Sequence, residues 1–219
     1  MTDAEIEVVD QAFAQIREFG IYLRDQDTKT LWFLNLLICI LNSTLREYQH
    51  LKIGYRKYTG LLARACRNLL ELDIYAQYVL ISEANAKRFI GDRLIDGIDI
   101  FESFKTWITR LDPQVSTPEL DDTIRRAHEQ KVTEGVTSKK HLKTRELADE
   151  VGMTDEYVDM NKVCSKLVHP TAWSVLAMTD EGELGLLRPI LFNTGVRYGL
   201  QIQEKIKDHV EKLGLEPKT

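Results

Sequence analysis

Cysteine is scarce in this 219-residue chain, which holds three, Cys39, Cys66 and Cys164. They lie far apart, with no CxxC pair and no disulfide-rich spacing, and read as reduced core thiols of a cytoplasmic protein. Long apolar runs are also missing. The longest, Leu31 to Leu41, is interrupted by Asn35 and reaches about half of the ~20 residues needed to cross a bilayer, so it reads as a core helix and no membrane partner is expected. Nor is there an excess of basic residues: 29 Lys and Arg against 34 Asp and Glu give a net charge of −5 and a pI near 5.6. That field argues against coating nucleic acid or anionic membrane, and leaves room for a local basic pocket. The opening MTDAEIEVVD lacks the basic-then-apolar layout of a secretory leader. P-loop, GxGxxG, HExxH and GxSxG patterns are absent, as is any internal repeat. Cys164 and His169 have no two further ligands at recognisable spacing, so neither a metal nor another cofactor is expected.

What is present is helical periodicity. The length suits one domain over 1–219, an all-α bundle of about seven helices with an exposed, irregular excursion at about 112–145. Ile6, Val9, Phe13, Ile16 and Leu23 predict a first helix from Asp3 to Arg24, and a second is predicted from Leu31 to about Leu51, its REYQHLK end emerging into water. A fourth should span about Ala86 to Leu111, with Phe89, Leu94, Ile98, Phe101, Phe104, Ile108 and Leu111 inward. Polar residues from Pro118 predict an exposed helix and a connection. Short helices should follow at Glu146 to Val151 and Asp155 to Val168, the first ended by Gly152 and the second by the His169-Pro170 pair. A hairpin-like stretch near 174–188, turning at Glu181-Gly182, precedes a last helix from Pro189 to about Leu213.

The third helix, Leu61 to Ile81, is apolar nearly all round and therefore buried. One stripe breaks the pattern, because Arg64, Arg67, Glu71, Tyr75 and Tyr78 fall within roughly 60° of one another. Charges on a core helix need partners. Two guanidiniums could grip a phosphate or carboxylate while Glu71 orients one of them; the alternative is an ion network tying the helix to the end of the chain. On NKVCSKLVHP, Lys162, Ser165, Lys166 and His169 share a face, being offset by three, four and seven residues. A cation beside a histidine at a helix end suits metal-free phosphoryl chemistry on RNA, and the alternative is a histidine that caps the helix. ELADEVGMTDEYV places Ala148, Gly152 and Val158 at helix-turn-helix spacing, but the acids of TDEYVD would face phosphates, so DNA is not an expected partner. Trp173 is expected in the core.

RNLLEL, GMTDEY and SKLVHP together resemble a widespread bacterial family of uncharacterised helical proteins with an Arg-x-x-x-Glu core helix and a downstream Ser-x-x-x-His-Pro. That resemblance implies that Arg67, Glu71, Tyr157, Ser165 and His169 meet in one pocket. A more distant similarity is to the HEPN superfamily of nucleotide-binding helical bundles. Many of these are metal-independent ribonucleases of toxin and antiphage systems, acting as dimers with an Arg and a His on a late helix. Here six residues separate Lys162 from His169, so lysine stands in arginine's place and lacks its planar fork. The similarity implies a cytoplasmic protein binding RNA or a nucleotide. His169 would be acid or base, Ser165 a site residue, Lys162 and Arg67 would stabilise phosphate charge, and a homodimer would bring two His169 segments together. The alternative is a non-catalytic regulatory or oligomerisation module, alone or with a partner protein.

Overall fold

A computed structural model describes residues 2–26, 32–133, 141–169 and 181–215, the side chains of residues 3 and 181–184 aside. Among these residues every regular element is a helix: α1 Asp3–Arg24, α2 Trp32–Lys57, α3 Thr59–Ile81, α4 Glu83–Leu111, α5 Pro118–Thr133, α6 Thr144–Glu150, α7 Thr154–Val168 and α8 Glu181–Lys212. The all-α architecture expected from the periodicity is the one observed. The chain divides into two compact units, Met1–Leu80 with Thr144–Thr219, and Ile81–Lys143.

In the first unit, α1 begins with a capping box: the Glu5 N–H donates to Thr2 Oγ1 at 3.3 Å, and the Thr2 N–H to the Glu5 carboxylate at 2.6 Å. Its three-to-four spacing buries Phe13, Ile16 and Leu23. Only Tyr58 separates α2 from α3, because Gly54 lets the chains meet: a Cβ there would lie 2.3 Å from the Leu62 backbone nitrogen. The second helix does not emerge into water at REYQHLK. Glu47, Tyr48 and Leu51 are buried, with Tyr48 stacked on Phe13 at 3.7 Å and its hydroxyl donating to Asp10 at 2.9 Å. These residues keep the inward register of LWFLNLLICIL, and a side chain with one polar tip can be buried when that tip is bonded. Cys66 and Cys164 are buried thiols as expected, whereas Cys39 is exposed, since it falls on the outer side of α2.

The last helix starts eight residues before Pro189 and runs through it, so residues 181–188 are helix rather than part of a hairpin; residues 174–180 and Trp173 lie outside the described residues. Proline fixes a helical φ and removes one donor, a small loss where the preceding turn is solvated, and Leu186 is 73% exposed. Further along, α8 packs against α2 and α1, and Gly199 admits the Phe13 ring, which a Cβ would meet at 2.5 Å.

In the second unit α4 packs with α5. Leu94 and Ile98 point inward as expected, but Phe104 and Leu111 are exposed. The spacing identifies the apolar face correctly, yet the helix opposite, α5, has no buried residue of its own and covers only part of it.

Candidate functional site

The stripe on α3 is graded. Tyr78 is fully buried, Glu71 and Arg67 are 18% and 31% exposed, and Arg64 is exposed with no ion pair among the described residues. Arg67 Nε donates to Glu71 Oε1 at 2.9 Å, one turn further on. Burial opposes the arginine's charge, but this hydrogen bond and the carboxylate's charge outweigh it and hold the guanidinium protonated more firmly than usual.

The seventh helix runs antiparallel along α3. Gly60 approaches the Leu167 carbonyl, to which a Cβ would come within 3.4 Å; the buried Cys66 and Cys164 thiols interact; Tyr157 feels the charges of Glu71 and Arg67. The Cys164 sulfur and burial push the Cys66 thiol well above its usual range, so it is inert at neutral pH. Burial, then Glu71, raises Tyr157, which therefore stays a neutral phenol. Thr144, at the start of α6, hydrogen-bonds the Tyr75 hydroxyl at 2.8 Å and, lying beside Tyr157, partly opposes the rise in that phenol's pKa. The structure thus gathers Arg67, Glu71, Tyr157 and Thr144 in one polar cluster.

Lys162, Ser165 and His169 belong to a different face. Cys164 and Leu167 are buried on the side that faces α3, while Lys162, Lys166 and His169 on the opposite side of α7 are exposed and Ser165 is half-buried beside Asn161 at 3.5 Å. The helix stops where Pro170 requires: His169 is its C-cap in extended geometry, its N–H donating to the Ser165 carbonyl at 3.1 Å. The outward row holds two ammonium groups, a hydroxyl and an imidazole, a set able to bind phosphate and move a proton.

Sequence reasoning missed the one carboxylate that is fully buried on α3. Asp73 is 0% exposed and is held by Lys205 of α8 at 3.0 Å and by Gln77 at 3.3 Å. Burial raises its pKa, and Lys205 only partly opposes this. The link from α3 to the end of the chain therefore exists, but Asp73 carries it rather than the stripe. Its signal was an acid outside the polar stripe of an otherwise apolar helix. Glu156 was missed as well; it accepts from the buried Tyr198 hydroxyl at 2.8 Å and pairs with Arg197. The supposed recognition helix thus turns one of its acids inward.

No helix among the described residues is long and apolar enough to cross a membrane. No curated protein and no solved structure matches the chain. A family model does match, over residues 38–184, which take in the Arg67 cluster, the outward row of α7 and Asp73. With most of its length covered, the chain belongs to the family of unknown function DUF5677.

Proposed function

We propose that this chain is a cytoplasmic, HEPN-like helical protein that binds RNA or a nucleotide through the outward face of α7 and cleaves RNA without a metal. The observation that carries the reading is the exposed row of Lys162, Ser165, Lys166 and His169, anchored from behind by Cys164 and Leu167. In this reading the His169 imidazole takes the proton of a ribose 2′-hydroxyl. The freed oxygen attacks the adjacent phosphorus, the bond to the 5′-oxygen breaks, and the departing oxygen takes the proton from the imidazolium just formed. The products are a 2′,3′-cyclic phosphate and a 5′-hydroxyl. Lys162 and Lys166 offset the charge that grows on the phosphoryl oxygens, and the Ser165 hydroxyl can donate to one of them. Arg64, exposed one turn along α3 from the Gly60 crossing, is a guanidinium available for a neighbouring phosphate. Arg67 is already committed to Glu71, so its role here is to position α7 through Tyr157.

The test is cleavage of a mixed pool of structured and single-stranded RNA in EDTA by the wild-type protein and by His169→Ala, with both checked by thermal melting. The expected result is cleavage by the wild type, a rate lower by about 100-fold or more in the variant, cyclic phosphate ends, and nearly equal melting temperatures. No cleavage by either protein, with a lower melting temperature for His169→Ala, would replace this reading with the non-catalytic module.

A further inference from the structure

The second unit holds a separate constellation built from ligand-type groups. Asp92, Asp96 and Asp99 recur at i, i+4 and i+7 on α4, which sets three carboxylates on one face. Like charges so spaced destabilise a helix unless a cation meets them. His141 comes to that face from beyond α5, with Nδ1 2.8 Å from Asp96 Oδ1 and Nε2 2.6 Å from Asp99 Oδ2. The next residue adds a backbone contact: the Leu142 N–H donates to Asp92 Oδ1 at 3.0 Å. One ligating atom each from Asp92, Asp96 and His141 consequently lies within 4.8 Å of the other two.

We propose that Asp92, Asp96 and His141 Nδ1 bind a divalent first-row transition cation, with Asp99 orienting the imidazole from its far side. Three features carry this. The donor set is mixed, one imidazole nitrogen and two carboxylate oxygens, which suits Zn²⁺, Mn²⁺ or Fe²⁺ rather than Ca²⁺, which takes six to eight oxygens. Histidines that ligate metals almost always donate the other ring N–H to a carboxylate or carbonyl, and Asp99 already stands at Nε2. The charge also favours a dication, since three carboxylates surround one ring. The histidine is 39% exposed, and a shallow cleft of about 750 Å³ lined by Asp96, Asp99, His141, Phe101, Phe104 and Trp107 opens beside it, so solvent ions can reach the ring. The competing cations are a proton on His141 and the guanidinium of Arg88, which bears weakly on Asp92 from one turn earlier. No short spacing motif announces the site, because the histidine lies 45 residues after Asp96 in sequence. It shares no residue with the reaction proposed above.

The test is Zn²⁺ titration of the full chain carrying Cys39→Ser, which removes the exposed thiol, followed by calorimetry and by the visible spectrum of Co²⁺ as a substitute. One equivalent should bind saturably. Affinity should fall by about 10–100-fold in Asp99→Asn, which leaves all three ligands in place, and further in His141→Gln, with far-UV circular dichroism unchanged. If His141→Gln fails to fold, Asp99→Asn alone decides the matter. Absence of saturable Zn²⁺ binding, or affinity unchanged in Asp99→Asn, overturns the site; Mg²⁺ binding as tightly as Zn²⁺ overturns the assignment of metal class.

Discussion

The two units handle their carboxylates differently. In the first, buried and half-buried acids are met by residues from other helices: Asp73 by Lys205, Glu156 by Tyr198 and Arg197, Asp10 by Tyr48 and Lys52, Glu47 by Asn68. In the second, most stay at the surface: Asp122 and Glu129 meet Arg125 and Glu83 meets Lys87 one turn away on the same helix, while Asp121 and Glu102 meet Lys105 and His128 between α4 and α5 at exposed positions. The chemistry is the same and the energetics are not. A buried charge deprived of its partner costs several kcal/mol, whereas an exposed pair contributes little. Buried polar residues of the first unit fix which turn of one helix faces which turn of another, whereas the pairs of α5, including those to Lys105 and Glu102 of α4, are exposed and contribute little. Among the described ion pairs of the second unit, those of His141 with Asp96 and Asp99 join the residues most distant in sequence.

The largest expected effect comes from isolating Asp73. Lys205→Met leaves a carboxylate with no exposure facing Gln77, at an expected cost of about 2–3 kcal/mol, below the ~3–5 kcal/mol of a fully buried pair because Lys205 is itself one-third exposed. Denaturant melts measure this directly. The pH dependence gives a second check. An acid whose folded pKa is raised favours the native state below its unfolded value, near 3.8, and loses that contribution as pH rises through the folded value. Removing Lys205 raises the folded value further. The melting-temperature gap between Lys205→Met and wild type should therefore be widest at pH 7 and narrow as pH falls toward 4. A gap that does not change with pH would mean that Asp73 is not the group responsible.

Arg67 should fall between the extremes. Its pair with Glu71 lies within one helix and keeps some contact with water, so Arg67→Ala should cost about 1 kcal/mol in denaturant melts. A positioning role makes a further demand. Loss of the arginine should speed amide exchange in α7, which faces it through Tyr157, more than in α1. Equal effects on both helices would reduce the pair to a local helix contact.

How much of this was legible in the sequence depends on whether the information was local. The bounds of α1, the end of α7 at His169 and the burial of α3 follow from periodicity, capping and the His-Pro step, each contained within a few residues. Tyr48 and Glu47 looked solvated because their partners, Asp10 and Asn68, lie 38 and 21 residues away. Asp73 escaped notice for the same reason, since Lys205 is 132 residues distant. The motif residues were visible in the sequence, but which of them share a face in the fold was not. Arg67, Glu71 and Tyr157 meet between α3 and α7, whereas Lys162, Ser165 and His169 share a face of α7 turned away from the buried Cys164 and Leu167. Phe104 and Leu111 show the converse limit, for an apolar face in sequence does not supply the layer that would cover it.

The smallest expected effect is the sharpest test of the contrast between the units. On α5, Arg125 bridges Asp122 and Glu129 while Arg126 also reaches Asp122, and all of these side chains are well exposed. Arg125→Ala should leave the melting temperature unchanged at physiological salt, because solvent and ions already screen the bridge and Arg126 remains. A change should still appear in titration. The Arg125 hydrogen bond holds the Asp122 carboxyl below the usual carboxylate range, so carbon-detected NMR should show it moving back toward an ordinary aspartate in the variant. Movement of that titration without movement of the melting curve is what a surface pair predicts. A loss of stability comparable to that of Lys205→Met would instead mean that α5, which buries no side chain, is held in place by its charges, and the distinction between the two units would fail at its clearest point.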